Sequence, residues 1–238
     1  MLRRSSRSWV RPWALPTVLA TATVLTLAGC GGSSAPRESP TEALAQAKKT
    51  LDATSGVQLQ LKGSDLPDGN ALVGAAGTLT RAPAFDGTIT VQLLGTSANV
   101  PVIAVDGDVY AKLPLTTGWQ TIDPSDYGVP DPSSLISPET GISTLLTSTE
   151  DPKAGDSVRG GEGNKEILTT YTGTLPASAV ATIIATASGS FDVAYTIGDD
   201  HELSQAKLTG HFYGADQPES SYTVTLDGYG TDKTITRP

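Results

Sequence analysis

Cys30 is the only thiol in this 238-residue chain, and a thiolate is the strongest nucleophile that an ordinary side chain supplies. It follows Leu27-Ala28-Gly29 and precedes Gly31-Gly32-Ser33-Ser34. The other reactive groups are poorly placed for chemistry. His201 and His211 are the only histidines; the first lies in the turn Gly198-Asp199-Asp200-His201, the second on a strand beside Phe212, and neither has the spacing of a metal site or a catalytic triad. Gly141-Ile142-Ser143-Thr144-Leu145 lacks the closing glycine of a nucleophile elbow, so Ser143 reads as a polar position on a helix. Gly160-Gly161-Glu162-Gly163-Asn164 lacks the Gly-Lys-Ser/Thr ending of a phosphate loop and reads as a hairpin turn. Asp106, Asp108, Asp123, Asp126 and Asp131 match no calcium-loop spacing, and turn-forming Asx chemistry accounts for them. With no nucleophile paired to a base, the chain is expected not to be an enzyme and to need neither metal nor cofactor.

The segment before Cys30 explains its setting. Arg3, Arg4, Arg7 and Arg11 stand among no acidic residue, and an apolar run from Trp13 to Leu27 leads to the small pair Ala28-Gly29. This is the layout of a secretory signal peptide. Leu27-Ala28-Gly29-Cys30 also resembles the lipobox of bacterial lipoproteins, in which the cysteine is acylated and the peptide is cut before it. The apolar run is interrupted by Pro16 and four threonines, and it falls short of the ~20 residues a retained span requires. The expected organisation is a lipoprotein signal peptide over 1–29, a lipidated flexible tether over 30–40 and a single domain over 41–238. Two or three acyl chains on Cys30 give stable anchoring where one would be reversible. The expected place is therefore the extracytoplasmic face of a cell membrane.

Net charge narrows the partners. The whole chain carries −9, and loss of the four leader arginines leaves 12 basic against 25 acidic residues, or −13. Such acidity argues against nucleic acid and against polybasic docking on anionic lipid. With the one cysteine acylated no disulfide forms, so stability must come from burial, and a monomer is expected.

Patterning then gives the elements. Pro40 to Thr54 reads as a helix with Thr41 as N-cap; Ala43, Leu44, Ala47 and Leu51 share one face, and Gly56 ends it. The period then changes to two. Val57, Leu59 and Leu61 alternate with polar neighbours, Ala71 to Arg81 is a weaker strand, and Ile89, Val91 and Leu93 alternate again. Val100 to Val105 and Val109 to Leu113 flank Asp106-Gly107, a type I′ hairpin signal. Alternation stops between Trp119 and Asp151, where several X-Pro pairs mark turns or helix starts. Ile142, Leu145, Leu146 and Thr149 predict a short helix beginning near Pro138-Glu139. Strands resume over Ser157 to Gly160 and Lys165 to Gly173, a helix follows over Pro176 to Ala187, and three strands close the chain. The sum is an α+β fold: a long antiparallel sheet with a few helices on one face.

These features, with Val105-Asp106-Gly107-Asp108-Val109-Tyr110-Ala111, Trp119 and Asp131-Pro132-Ser133-Ser134-Leu135-Ile136-Ser137-Pro138-Glu139-Thr140-Gly141-Ile142, resemble the LppX/LprA/LprF/LprG lipoproteins of mycobacteria and related actinobacteria. Asp151-Pro152-Lys153-Ala154, Leu175-Pro176-Ala177-Ser178-Ala179-Val180 and Gly198-Asp199-Asp200-His201-Glu202-Leu203-Ser204-Gln205-Ala206 extend the likeness over nearly the whole mature chain, most of all to the LprG branch. The resemblance implies a curved antiparallel half-barrel with helices on its concave face, similar to LolA and LolB, around a hydrophobic cavity. It implies acylated envelope lipids as ligands, triacylglycerols or phosphatidylinositol-based glycolipids, and cooperation with an efflux-type membrane transporter.

If the sheet curves around a ligand, the candidate lining is Leu59, Leu61, Ile89, Val91 and Leu93 from strands. The helices would add Ile142, Leu145, Leu146, Val180, Ile183 and Ile184. By pattern alone the same alternation favours a solid core, and only the resemblance favours a cavity; with a solid core the chain is an envelope scaffold or protein-binding lipoprotein that carries no lipid beyond its anchor.

Overall fold

The computed structural model describes residues 38–238 apart from Leu94 and Gly128, so the leader, Cys30 and most of the tether lie outside the described residues. Helix α1 (Pro40–Ala53) opens with a capping box: Ser39 Oγ accepts from Glu42 N at 3.2 Å, and Glu42 Oε2 accepts from Ser39 N at 3.0 Å. The cap is thus Ser39 and not Thr41, because Pro40 occupies the first helical turn and holds the residue before it extended. Ala43, Leu44, Ala47 and Leu51 are its buried face. Thr54 leaves the helix in an extended conformation, and Gly56 begins the first strand instead of ending the helix. A Cβ on Gly56 would sit 2.6 Å from the carbonyl oxygens of Leu79 and Thr231, so a glycine is required by close packing there.

Eleven strands form one antiparallel, open, curved sheet. Strands β1 (Gly56–Ser64), β2 (Ala71–Thr80), β3 (Ala84–Leu93), β4 (Thr96–Val105), β5 (Asp108–Ala111) and β6 (Gln120–Ile122) meander towards one edge. β7 (Glu150–Gly160), β8 (Glu166–Pro176), β9 (Ser188–Gly198), β10 (Leu203–His211) and β11 (Ser220–Asp227) return from the other edge. The two meanders join where β1 pairs with β11, with Leu61 opposite Val224 and Leu59 opposite Leu226. The expected hairpin at Asp106-Gly107 is present between β4 and β5, with φ of 56° and 80° at the two turn residues.

Several elements differ from the pattern-based expectation. β6 has only three residues, too few to show a period. β7 starts at Glu150, well before Ser157, and runs through Asp151-Pro152. It is an edge strand with register breaks at Glu150/Lys153 and Ala154/Ser157, and there a proline donates nothing that the sheet needs and discourages a further strand from adding. Helix α2 covers Ile142–Ser148 and not Pro138 onward; Gly141 N bonds Ser137 O at 2.8 Å in the preceding turn. Helix α3 is a single turn, Ala177–Val180. The N–H groups of Ile183 and Ile184 both reach Val180 O at 2.9 Å, and the β-branched run Thr182-Ile183-Ile184 disfavours further helix.

The weak apolarity of β2 has a packing reason. Gly77 lies opposite Gly87, and a Cβ on either would come within 2.7 Å of the fully buried Phe85 ring. The two glycines leave the space that this ring fills. The chain end is fastened as well: Tyr229 OH donates to Leu203 O and accepts from Leu203 N at 3.0 and 3.1 Å, Gly230 N donates to Thr54 Oγ1 at 2.9 Å, and Lys233 pairs with Asp86 at 2.8 Å. The core lies on one face of the sheet, between it and α1, α2 and α3. All of it falls within residues 38–238, which form one compact unit.

Candidate functional site

Where the sheet curves beneath the short helices, the side chains enclose an apolar cleft of about 90 Å³. Its floor is Leu59 and Leu61 of β1, Leu72 of β2, Ala206 and Leu208 of β10, and Tyr222 and Val224 of β11. Leu61, Val224 and Ala206 form one transverse row, since each faces the next across the strand pairing. The opposite wall is Ile142 and Leu145 of α2, Val180, Ile183 and Ile184 from α3 and its following turn, and Pro130 and Leu135 from the connecting segment. Phe212 closes one end, stacked edge-on to Phe191 and Tyr222 with centroids 4.8 Å apart in each pair.

The hydroxyl in the cleft lining is satisfied by backbone and side-chain partners. Tyr222 OH donates to Leu72 O at 2.7 Å and shares a short hydrogen bond with Tyr213 OH, which accepts from Leu72 N at 3.1 Å. These bonds span the register break of β2 between Leu72 and Gly74. The surface left facing the cleft is aliphatic and aromatic, suited to dispersion and burial and to no particular polar recognition.

A set of part-buried polar contacts fastens the α2 wall. Lys48 Nζ donates to Asp52 Oδ2 at 2.7 Å, to Pro138 O at 2.9 Å and to Ser143 Oγ at 3.2 Å, while Ser143 donates to Asp52 Oδ1 at 2.6 Å. Ser143 is 2% exposed. It is thus the polar helix position expected from sequence, used to bind α2 to α1. Thr149, at the end of α2, shares a 3.0 Å hydrogen bond with the buried Tyr195 OH.

Seven of the sequence-derived lining candidates stand around the cleft: Leu59, Leu61, Ile142, Leu145, Val180, Ile183 and Ile184. Leu146 is not among them; it is 1% exposed within the core. Ile89 and Val91 are half-buried against the core on β3, away from the cleft, because β3 is separated from β1 by the whole of β2. The side chain of Leu93 lies outside what is described. Leu72, Pro130, Leu135, Ala206, Leu208, Phe212, Tyr222 and Val224 were not singled out from sequence. The alternation on β10 and β11 marks an apolar face there, but the pairing of the first strand with the last is what brings that face to Leu59 and Leu61.

The remaining chemistry-bearing residues are engaged locally. His201 has positive φ in its turn and its Nε2 lies 3.0 Å from Glu38 Oε2; His211 Nδ1 lies 2.8 Å from Gln217 O. Asp123 accepts from Ser125 N and Asp131 from Ser133 N, each at 2.9 Å, as in Asx turns. Arg237 meets Asp108 at 3.1 Å. A broader depression of about 530 Å³ lies on the outer face of β7 to β10, but Asp151, Lys153, Asp192 and Lys207 line it. An acyl chain there would desolvate charges, so the smaller apolar cleft is the better candidate.

Burial raises the phenols of Tyr195, Tyr222 and Tyr229 well above the usual value of 10.0. In the unfolded chain these groups ionise near pH ~10; in the folded chain they keep their protons to higher pH. Their contribution to stability is therefore full below pH ~10 and falls as pH rises beyond it, by about 1.4 kcal/mol per pH unit for each phenol. Urea unfolding between about pH 8 and 11 is expected to show a level region followed by a steep loss. Full phenolate absorbance developing near the ordinary value, with the fold intact and no loss of stability, would contradict this.

The described residues thus form an open curved antiparallel sheet with short helices over an apolar cleft. The chain belongs to the LppX_LprAFG lipoprotein family, whose model matches residues 39–237. It is 28% identical over 250 residues to the lipoarabinomannan carrier protein LprG of Mycobacterium tuberculosis, covering 100% of this chain and 99% of the relative. The lipoarabinomannan carrier protein LprG of Mycobacterium leprae is 26% identical over 244 residues, with 96% and 95% covered. Among solved structures, LprF from Mycobacterium bovis superposes with a TM-score of 0.66 at 14% identity, over 84% of this chain and 96% of that one. LppX from Mycobacterium tuberculosis gives 0.59 at 17% identity, over 83% and 98%. The family is one of cell-envelope lipoproteins, which associates this chain with a membrane outside the cytoplasm.

Proposed function

We propose that this protein is a carrier that takes the acyl chains of an envelope lipid or glycolipid into the apolar cleft, leaves the headgroup at the mouth and delivers the lipid to another membrane or to an efflux-type transporter. The observation that supports it best is the continuous apolar lining between sheet and helices, whose one hydroxyl, Tyr222 OH, is engaged by Leu72 O and Tyr213 OH. The relatives named lipoarabinomannan carrier protein favour a glycolipid with acyl chains; triacylglycerol presents the same chain chemistry with a smaller head. Each methylene removed from water contributes about 0.8 kcal/mol, so an unaided long-chain lipid does not cross an aqueous layer, whereas a lined cleft offsets most of that cost. The carrier acts as a monomer and without covalent catalysis. Residues 38–238, the compact unit that begins just before the cap of α1, are the lipid-binding domain; the segment from Cys30 to it is the tether and 1–29 the removed signal peptide, with acylated Cys30 holding the domain at the membrane.

At about 90 Å³ the cleft is far smaller than the ~300–1,000 Å³ of a typical ligand pocket. Loading therefore requires the α2 and α3 wall to move off the sheet, against the Lys48–Asp52–Ser143 contacts. The same small volume favours a second reading, an envelope scaffold with a solid core. Mass spectrometry under native conditions separates the two. A chain beginning at Gly31, purified from an actinobacterial host, is expected to carry one equivalent of an acylated lipid. Protein that emerges empty and takes up neither diacyl nor triacyl lipid would leave the scaffold.

A further inference from the structure

The connection between β5 and β6 carries apolar surface that the fold leaves uncovered. It spans residues 112–119, longer than the ~2–5 residues typical of a hairpin loop. Leu113 packs against the core, and Thr116 N and Oγ1 both donate to Leu113 O, at 3.3 and 2.9 Å. That closes a tight turn with Pro114 and Leu115 at its centre. Leu115 has φ of 68°, at the position where a type II turn favours glycine, and the residue is fully exposed. A leucine there is unfavourable twice over, in backbone and in solvation, and an outlier of this kind points to use. Trp119 and Tyr127, 37% and 54% exposed, follow on the same stretch.

A leucine tip followed by an indole and a phenol is the composition of a membrane–water interface, where the aromatic rings sit among headgroups and the aliphatic side chain among acyl chains. The exposed charges nearby are Lys112, Asp123 and Asp126. They form no basic patch, so attraction to anionic lipid is not the binding force. The chain runs directly from this stretch into Pro130 and Leu135, which wall the cleft. We infer that residues 113–127 dock the protein on a bilayer, with Leu115 inserted and Trp119 and Tyr127 at headgroup level, so that the segment walling the cleft is held against the lipid surface. The docking is distinct from the acyl anchor and from the identity of the cargo.

The chain beginning at Gly31 retains every described residue and has Trp119 as its only tryptophan, since Trp9 and Trp13 lie in the leader. Phosphatidylcholine vesicles are expected to shift its emission to the blue, with quenching by acyl-brominated lipid and little effect of salt. Leu115→Gly suits the local backbone; it is expected to weaken vesicle partition at least about tenfold with an unchanged or higher melting temperature, and Leu115→Met to restore partition. The inference is overturned by emission that vesicles do not move, by binding that requires anionic lipid and vanishes in salt, or by a shift that grows with protein concentration alone. Vesicle binding of Leu115→Gly equal to the parent's overturns it too. Lipid uptake from detergent by the same chain reports the cleft separately, so failure of docking and failure of the carrier reading are distinguishable.

Discussion

A chain carrying Leu61→Gln together with Ile184→Gln is expected to bind acylated lipid at least about thirtyfold more weakly than the parent while remaining folded. The two positions face the cleft from opposite sides, one on β1 and one after α3, and both are half-buried. Each glutamine places an amide against acyl chains with no hydrogen-bond partner, at a cost of about 1–3 kcal/mol in the bound state. Two such groups amount to about 2–6 kcal/mol, and the lower bound corresponds to roughly thirtyfold in affinity. Without lipid the amides can turn towards water, so the melting temperature should fall by only a few degrees (~2–4 °C). Titration with a fluorescent fatty-acyl probe, displaced by unlabelled lipid, measures the effect. Equal affinity in a folded double variant would place lipid elsewhere than this cleft.

Removal of the Phe212 ring is expected to be the most damaging single truncation at the site. Phe212 is 2% exposed, meets Phe191 and Tyr222 edge-on, and its carbonyl accepts from Thr186 Oγ1 at 2.6 Å. Phe191 itself depends on Gly210, whose absent Cβ would lie 2.4 Å from that ring. Phe212→Ala loses the transfer free energy of the ring, leaves a cavity and breaks two aromatic pairs, together about 3–5 kcal/mol. That is a large share of the ~5–15 kcal/mol that stabilises a typical domain. Urea unfolding should show the midpoint falling with an unchanged slope. Because Phe212 also closes the cleft, the space it vacates joins it, and bound lipid should restore part of the lost stability. A loss below about 1 kcal/mol would mean that the end of the cleft collapses without penalty.

Local patterns already located most of the elements. Period two gave β1, β3, β9 and β11, and the turn before Leu203 gave β10; Asp106-Gly107 gave the β4–β5 hairpin, and the face of Ala43, Leu44, Ala47 and Leu51 gave α1. Such features are readable because each depends on residues a few positions apart. Ser39 escaped because a capping box is decided by the reciprocal bond from Glu42, and the start of β7 escaped because Pro152 is tolerated only at an edge. For the site, the helix candidates Ile142, Leu145, Val180, Ile183 and Ile184 stand beside the cleft, whereas Ile89 and Val91 do not. Their alternation is as regular as that of Leu59 and Leu61, and only strand order separates them.

The chain alone, through local spacing and composition, dictated an acidic α+β protein whose long antiparallel sheet is apolar on one face. The pairing of β1 with β11 depends on segments more than 150 residues apart, such as Leu61 and Val224, and no local period encodes it. Folding therefore chose which apolar positions surround the cleft, how little volume they leave, and that Lys48, Asp52 and Ser143 meet to hold its wall. Burial rewards any arrangement that hides the same side chains; long-range register and the close approaches permitted by Gly77, Gly87 and Gly210 select this one.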